Sequence, residues 1–114
     1  MPRIGGFCGY NHSWLVEGAG ADDPVLAARL ADPQSGRRLE VLTTEPTVHI
    51  YIANHFSGED MGAAGVPLRP HHGIAMETQH LPDSPNRPGF PTTLLRPGET
   101  FRSTTIYRFG VEGG

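Results

Sequence analysis

The sequence predicts an all-β fold, an antiparallel β-sandwich, and three observations carry that prediction. Prolines recur every few residues from Pro24 to Pro97; lacking a backbone donor, they leave no uninterrupted window for a long helix. The segments between the breaks alternate apolar and polar positions with period two, most clearly over residues 47–53 and in the last segment. The breaks themselves are turn chemistry, with 15 Gly and 11 Pro among 114 residues, a loop-rich composition just short of what signals disorder. Folding at this length removes only roughly 65% of the unfolded chain's surface from water, so one modest core and a single domain over residues 1–114 are expected.

The opening, residues 1–20, scatters five glycines around a short apolar piece, Trp14 to Val16, and reads as loop and short strand. An apolar segment over residues 25–31 then meets Asp32, Pro33, Gln34, Ser35 and Gly36, five residues with strong turn chemistry. Residues 39–44 come next, rich in β-favouring types. The apolar segment alone would also suit two helical turns; the turn and the β-favouring residues after it make a hairpin the better reading. After a break at Glu45 and Pro46, Val48, Ile50 and Ile52 share one face of a strand over residues 47–53, with His49, Tyr51 and Ala53 on the other. A Gly-rich loop over residues 54–70 is long for a compact domain and suggests a loop that moves or shapes a site. Residues 73–78 return to strand. The prolines of residues 80–91 fall every third residue, as in a polyproline ligand, but Asp83, Ser84, Asn86 and Gly89 between them read as successive turns. After a turn at Pro97 and Gly98, residues 99–109 form the last strand. Phe101, Tyr107 and Phe109 lie on one face, Thr100, Arg102, Thr104 and Arg108 on the other, and Ile106 breaks the pattern. So few strands leave sheet borders unpaired, and self-association or a missing part of the fold is expected to cover them.

Charge and cysteine content exclude several functions. Nine basic residues, all Arg, face twelve acidic ones, a net charge of -3 with neutral histidines. The one adjacent basic pair, Arg37 and Arg38, is no phosphate-binding surface and reads as a solvated hairpin edge, so nucleic acid is not expected as a partner. No apolar run is long enough to cross a bilayer, and residues 1–10 lack the apolar core of a signal sequence. A membrane is not expected, and the cytoplasm is the expected location. Without secretion the Asn11-His12-Ser13 glycosylation sequon has no meaning. Cys8, the lone cysteine, excludes an internal disulfide and a thiolate metal cluster, and nothing beside it lowers its pKa for nucleophilic work.

The chemistry concentrates in the middle of the chain, where His49, His55, His71, His72 and His80 surround Glu77. A shared metal is disfavoured: His49 and His55 would stand about 20 Å apart in an extended strand, and His71 and His72 point to opposite faces. The ordinary reading of His55 and His80 is as loop or surface residues. Glu77 is sharper. It shares a strand face with Gly73 and Ala75, small neighbours that leave room for a ligand, and a carboxylate in such a partly dry hollow has its pKa raised toward the range of a general base. A solvated strand glutamate is the plain alternative. No nucleophile elbow or phosphate-binding glycine loop is present.

The run from His72 to Asn86, HGIAMETQHLPDSPN, continues through Phe90-Pro91, Leu95 to Glu99 and Ser103 to Thr105. It closely resembles the carboxy-terminal portion of aldose 1-epimerases, the galactose mutarotases. The resemblance extends upstream through GRRLEVLTT at residues 36–44, Pro46, Tyr51 and Asn54 to the GYNH segment at residues 9–12, and so covers nearly the whole chain.

The resemblance implies a truncated version of the galactose mutarotase-like supersandwich that binds an aldohexose such as galactose or glucose and interconverts its α and β anomers without metal or organic cofactor. It makes Glu77 the general base that takes the anomeric proton while a histidine protonates the ring oxygen; the ring opens and recloses from either side. Asn11 stands where the family has a sugar-contacting aspartate, and His49 where a glutamine is common; both keep hydrogen-bonding capacity. The family's acid histidine, arginine and asparagine come from an upstream part absent from these residues. A copy of the chain or a complementing upstream chain is therefore an expected partner, and a noncatalytic sugar-binding or assembly module is the alternative function.

Overall fold

A computed structural model of the chain describes residues 3–4, 7–20 and 22–111. The Cys8 side chain, weighed above as a nucleophile, lies outside what is described. The chain is all-β with antiparallel pairing, as expected, and among the described residues the helical content is one 3-10 turn over Ser84–Asn86. Strands β1 (Arg3–Ile4) and β2 (Phe7–Cys8) form a two-stranded ladder. Strands β3 (Asn11–Leu15), β6 (Thr47–Tyr51) and β7 (Ala75–Gln79) form a sheet in the order β3-β6-β7. Strands β4 (Val25–Ala31), β5 (Arg37–Thr43) and β8 (Thr105–Val111) form another in the order β4-β5-β8. Two compact units divide the chain: residues up to Ser13 with His49–Glu77, and Trp14–Val48 with the residues from Thr78 onward.

In the second unit the β4–β5 hairpin forms where the turn chemistry indicated. Asp32 accepts the Gln34 and Ser35 backbone N–H groups on its two carboxylate oxygens at 3.1 and 3.3 Å and the Ser35 hydroxyl at 2.6 Å. Gly36, at φ 69, closes the loop in a left-handed conformation that side chains resist. The ladder runs Leu30↔Leu39 and Arg29↔Glu40, with a bulge between Leu26 and Ala28. β8 pairs along the other side of β5, from Arg37↔Val111 to Thr43↔Thr105. The last strand is therefore shorter than residues 99–109 suggested. Its partner β5 ends at Thr43, and Thr104 N–H turns instead to the Thr44 hydroxyl at 3.0 Å. Ile106 breaks the alternation because its register partner is Leu42, itself paired with Leu26, so an apolar trio crosses the face that elsewhere carries Arg29, Glu40 and Arg108.

In the first unit the long loop folds on itself: Gly58 N–H bonds Leu68 O, Leu68 N–H bonds Asp60 O, and Met61 bridges Pro67. The opening strand, expected at Trp14 to Val16, spans Asn11–Leu15. The expected strand over residues 73–78 is shifted to Ala75–Gln79. Pro82 and Pro88 lie in turns and Pro85 in the 3-10 turn, where Asp83 at φ 64 binds Asn86 at 2.6 Å and Arg87 at 2.8 Å. Among the described residues the buried apolar side chains are Val41, Val48 and Ala53, and five polar ones are equally buried: Glu40, Thr43, Glu45, Thr47 and Ser84.

Candidate active site

Strand β3 is brought to its place by Gly9. At φ 137, a Cβ there would stand 2.8 Å from Ile52 Cδ1 and 3.3 Å from Asn54 Cβ, so only glycine permits this approach. Tyr10 O then accepts Ile52 N–H at 3.3 Å. Asn11 and Ser13, two apart and hence on one strand face, both reach the His49 ring on β6. His49 Nε2 lies 2.8 Å from Asn11 Oδ1, and Nδ1 lies 2.9 Å from Ser13 Oγ. These partners imply the tautomer: Nε2 carries the hydrogen donated to the Asn11 carbonyl oxygen, and Nδ1 accepts from the Ser13 hydroxyl. Asn11 is exposed and His49 half-buried. Asn54 Oδ1 is buried with no hydrogen-bond partner among the described residues.

Glu77 projects from β7 and is exposed, whereas its small strand neighbours predict a partly dry hollow. The cavities described lie elsewhere. Two of them are about 580 Å³ beside Ser84, Arg87 and Phe90, and about 500 Å³ beside Glu45, His80 and Ser103.

The histidines disperse. His55 packs its ring 5.7 Å from that of Tyr51, and His71, at φ 64, places Nδ1 3.2 Å from Ile52 O. His80, read as a surface residue, is instead half-buried, with Nδ1 2.9 Å from a carboxylate oxygen of the buried Glu45. Among the described residues no group of three His, Cys, Asp or Glu side chains is gathered to hold a metal ion. Ser13, Glu45 and His80 are the polar partners that sequence reasoning missed. The one signal available was the density of hydroxyl and carboxyl side chains at Thr43, Thr44, Glu45 and Thr47.

The aldose 1-epimerase family model matches residues 2–108. The chain belongs to the aldose 1-epimerase family. It is 40% identical over 103 residues to the galactose mutarotases of Homo sapiens and Mus musculus, covering 90% of this chain. It is 37% identical over 106 residues to the aldose 1-epimerase of Escherichia coli, covering 91% of this chain. In each case the chain spans 30% of the relative's length. Its all-β, antiparallel architecture is that of a truncated member of the mutarotase-like sandwich. No helix among the described residues is long and apolar enough to cross a membrane.

Proposed function

We propose that the chain is the carboxy-terminal, base-bearing part of a single mutarotase-like domain that interconverts the anomers of an aldohexose such as galactose or glucose. Glu77 is the general base, Asn11 contacts the sugar, and His49, expected as a second contact, holds Asn11 in place. The observation carrying this reading is the family match through residues 2–108, which includes the strand that holds Glu77. The sheet order gives it support: β6, with His49, is the neighbour of β7. The Thr47 hydroxyl donates to Gln79 O at 2.6 Å, so the start of β6 lies beside the end of β7. A base and hydrogen-bonding groups on neighbouring strands suit a pyranose whose anomeric hydroxyl must lose its proton as the ring opens.

Both ring nitrogens of His49 are engaged by Asn11 and Ser13, so His49 serves this site by orienting Asn11. Within this trio the exposed Asn11 amide nitrogen is the group left for a sugar hydroxyl. The decay of optical rotation of fresh α-galactose or α-glucose tests the proposal. We expect acceleration by the chain and its loss in Glu77→Gln; acceleration that survives this change removes Glu77 as the base.

A second reading, a noncatalytic sugar-binding or assembly module that needs another copy or a complementing upstream chain, is favoured by the exposure of Glu77 and the 30% span of the relatives. It predicts no acceleration by the chain alone and acceleration on mixing with a polypeptide carrying the upstream part of a family member. Galactose-induced NMR shifts at Asn11 and His49 without turnover identify the sugar-binding form.

A further inference from the structure

We infer that a hydroxyl relay rooted in the buried Thr43 and closed by the Glu45–His80 pair positions Glu77 by pinning the register of the strand that carries it. The inference rests on the reading of Glu77 as the base. Three consecutive residues after Glu77 are each tied down by a side chain. Thr78 Oγ1 lies 2.7 Å from Thr105 Oγ1, Gln79 O accepts the Thr47 hydroxyl at 2.6 Å, and His80 Nδ1 meets Glu45 Oε2 at 2.9 Å.

Two of these ties are the ends of one path. Thr105 Oγ1 is 3.0 Å from Thr43 Oγ1, which lies 3.3 Å from Thr104 O and accepts Glu45 N–H at 3.0 Å. A hydroxyl has one hydrogen to give. With Thr43 donating to the carbonyl, Thr105 donates to Thr43 and Thr78 to Thr105, and the direction of every bond is set. The path leaves β7 at Thr78 and returns through the Glu45 carboxylate to His80, two residues on.

Thr43 and Thr47 are 0% exposed and Glu45 is 7% exposed. Valine would fill the space of either threonine without a hydroxyl to desolvate, so filling space does not account for these groups. What the hydroxyls supply is direction. β7 ends the order β3-β6-β7 and has β6 as its one ladder neighbour there. A one-residue slip of such a strand would turn Glu77 to the opposite face. The three ties oppose it, since two hold residues of β7, Thr78 and Gln79, and the third holds His80 just after it. Thr43, Thr47, Thr78, Thr105, Glu45 and His80 are thus positioning residues.

Paired substitutions at Thr43 separate direction from packing, because serine keeps the hydroxyl and loses the methyl while valine does the reverse. The readouts, both on the full chain, are the carboxyl ¹³C signal of Glu77 and the rate of optical-rotation decay. We expect Thr43→Ser to keep a single sharp Glu77 signal and a rate within about twofold of the parent. Thr43→Val should broaden or split that signal and lower kcat about tenfold or more at unchanged KM, as expected for a misplaced catalytic group. A Glu77 signal unmoved by valine, or disturbed as much by serine as by valine, overturns the inference. The signal needs no turnover, so it is decisive even if the chain alone does not catalyse and the proposed function fails. If Thr43→Val does not fold, the same Ser and Val comparison at Thr78 decides.

Discussion

Asn11, Ser13 and His49 form a trio in which each polar atom constrains the next. With Nδ1 accepting from Ser13 and Nε2 donating to Asn11, the neutral imidazole is locked in one tautomer. Ser13→Ala removes the donor to Nδ1, and ¹⁵N shifts of His49 should then report a mixture of tautomers where the parent shows the Nε2–H form alone. Gly9→Ala should destabilise the chain by about 1–3 kcal/mol, since it forces a side chain into a left-handed backbone and against Ile52; urea unfolding measures it. At this scale the sequence was legible where chemistry is local. Glu77, Asn11 and His49 stand out through their motifs. The partners do not: Ser13 lies 36 residues from His49 and Glu45 lies 35 from His80. A strand's periodicity says which face a side chain takes and nothing about which distant residue it meets.

The strands were easier to read, and their errors have a common cause. The β4–β5 hairpin was legible because Asp32 to Gly36 carries its own hydrogen bonds, independent of the rest of the fold. Gly36→Ala, at φ 69, should cost about 1–2 kcal/mol, seen as a lower urea midpoint. The boundaries of β7 and β8 were misjudged because a strand lasts as long as its neighbour, which the segment itself does not encode. Across β4, β5 and β8, Arg29, Glu40 and Arg108 stand level in register, with Arg29 2.8 Å and Arg108 3.5 Å from the Glu40 carboxylate. The hydrogen bond from Arg29, reinforced by the surrounding arginines, holds the Glu40 carboxyl below the usual glutamate range. A lowered folded-state pKa means that the unfolded chain takes up the proton first as pH falls. The contribution of Glu40 is therefore complete above the ordinary glutamate pKa of about 4.3 and disappears as pH drops through the lowered value. Urea midpoints measured from pH 7 downward should fall in that window, and the fall should be shallower in Glu40→Gln.

For the whole molecule, the governing fact is that relatives are more than three times as long in sequence as the stretch matched here. Phe109 is 77% exposed and Val111 59%, on a strand that ends its sheet, and Ile106 and Tyr107 of the same strand are exposed as well. Large apolar side chains gathered on an end strand are the usual mark of an interaction surface. A polypeptide carrying the remaining part of a family member should protect the β8 amides from hydrogen exchange when mixed with this chain, whereas an unrelated soluble protein should not. The place of β8 at the end of its sheet also bears on survival in a crowded cell. An end strand offers its outer backbone groups to any extended peptide, so under the assembly reading proposed above the half-life of the uncombined chain is a race between a completing polypeptide and a chaperone, a protease or an identical sister strand that begins a fibril.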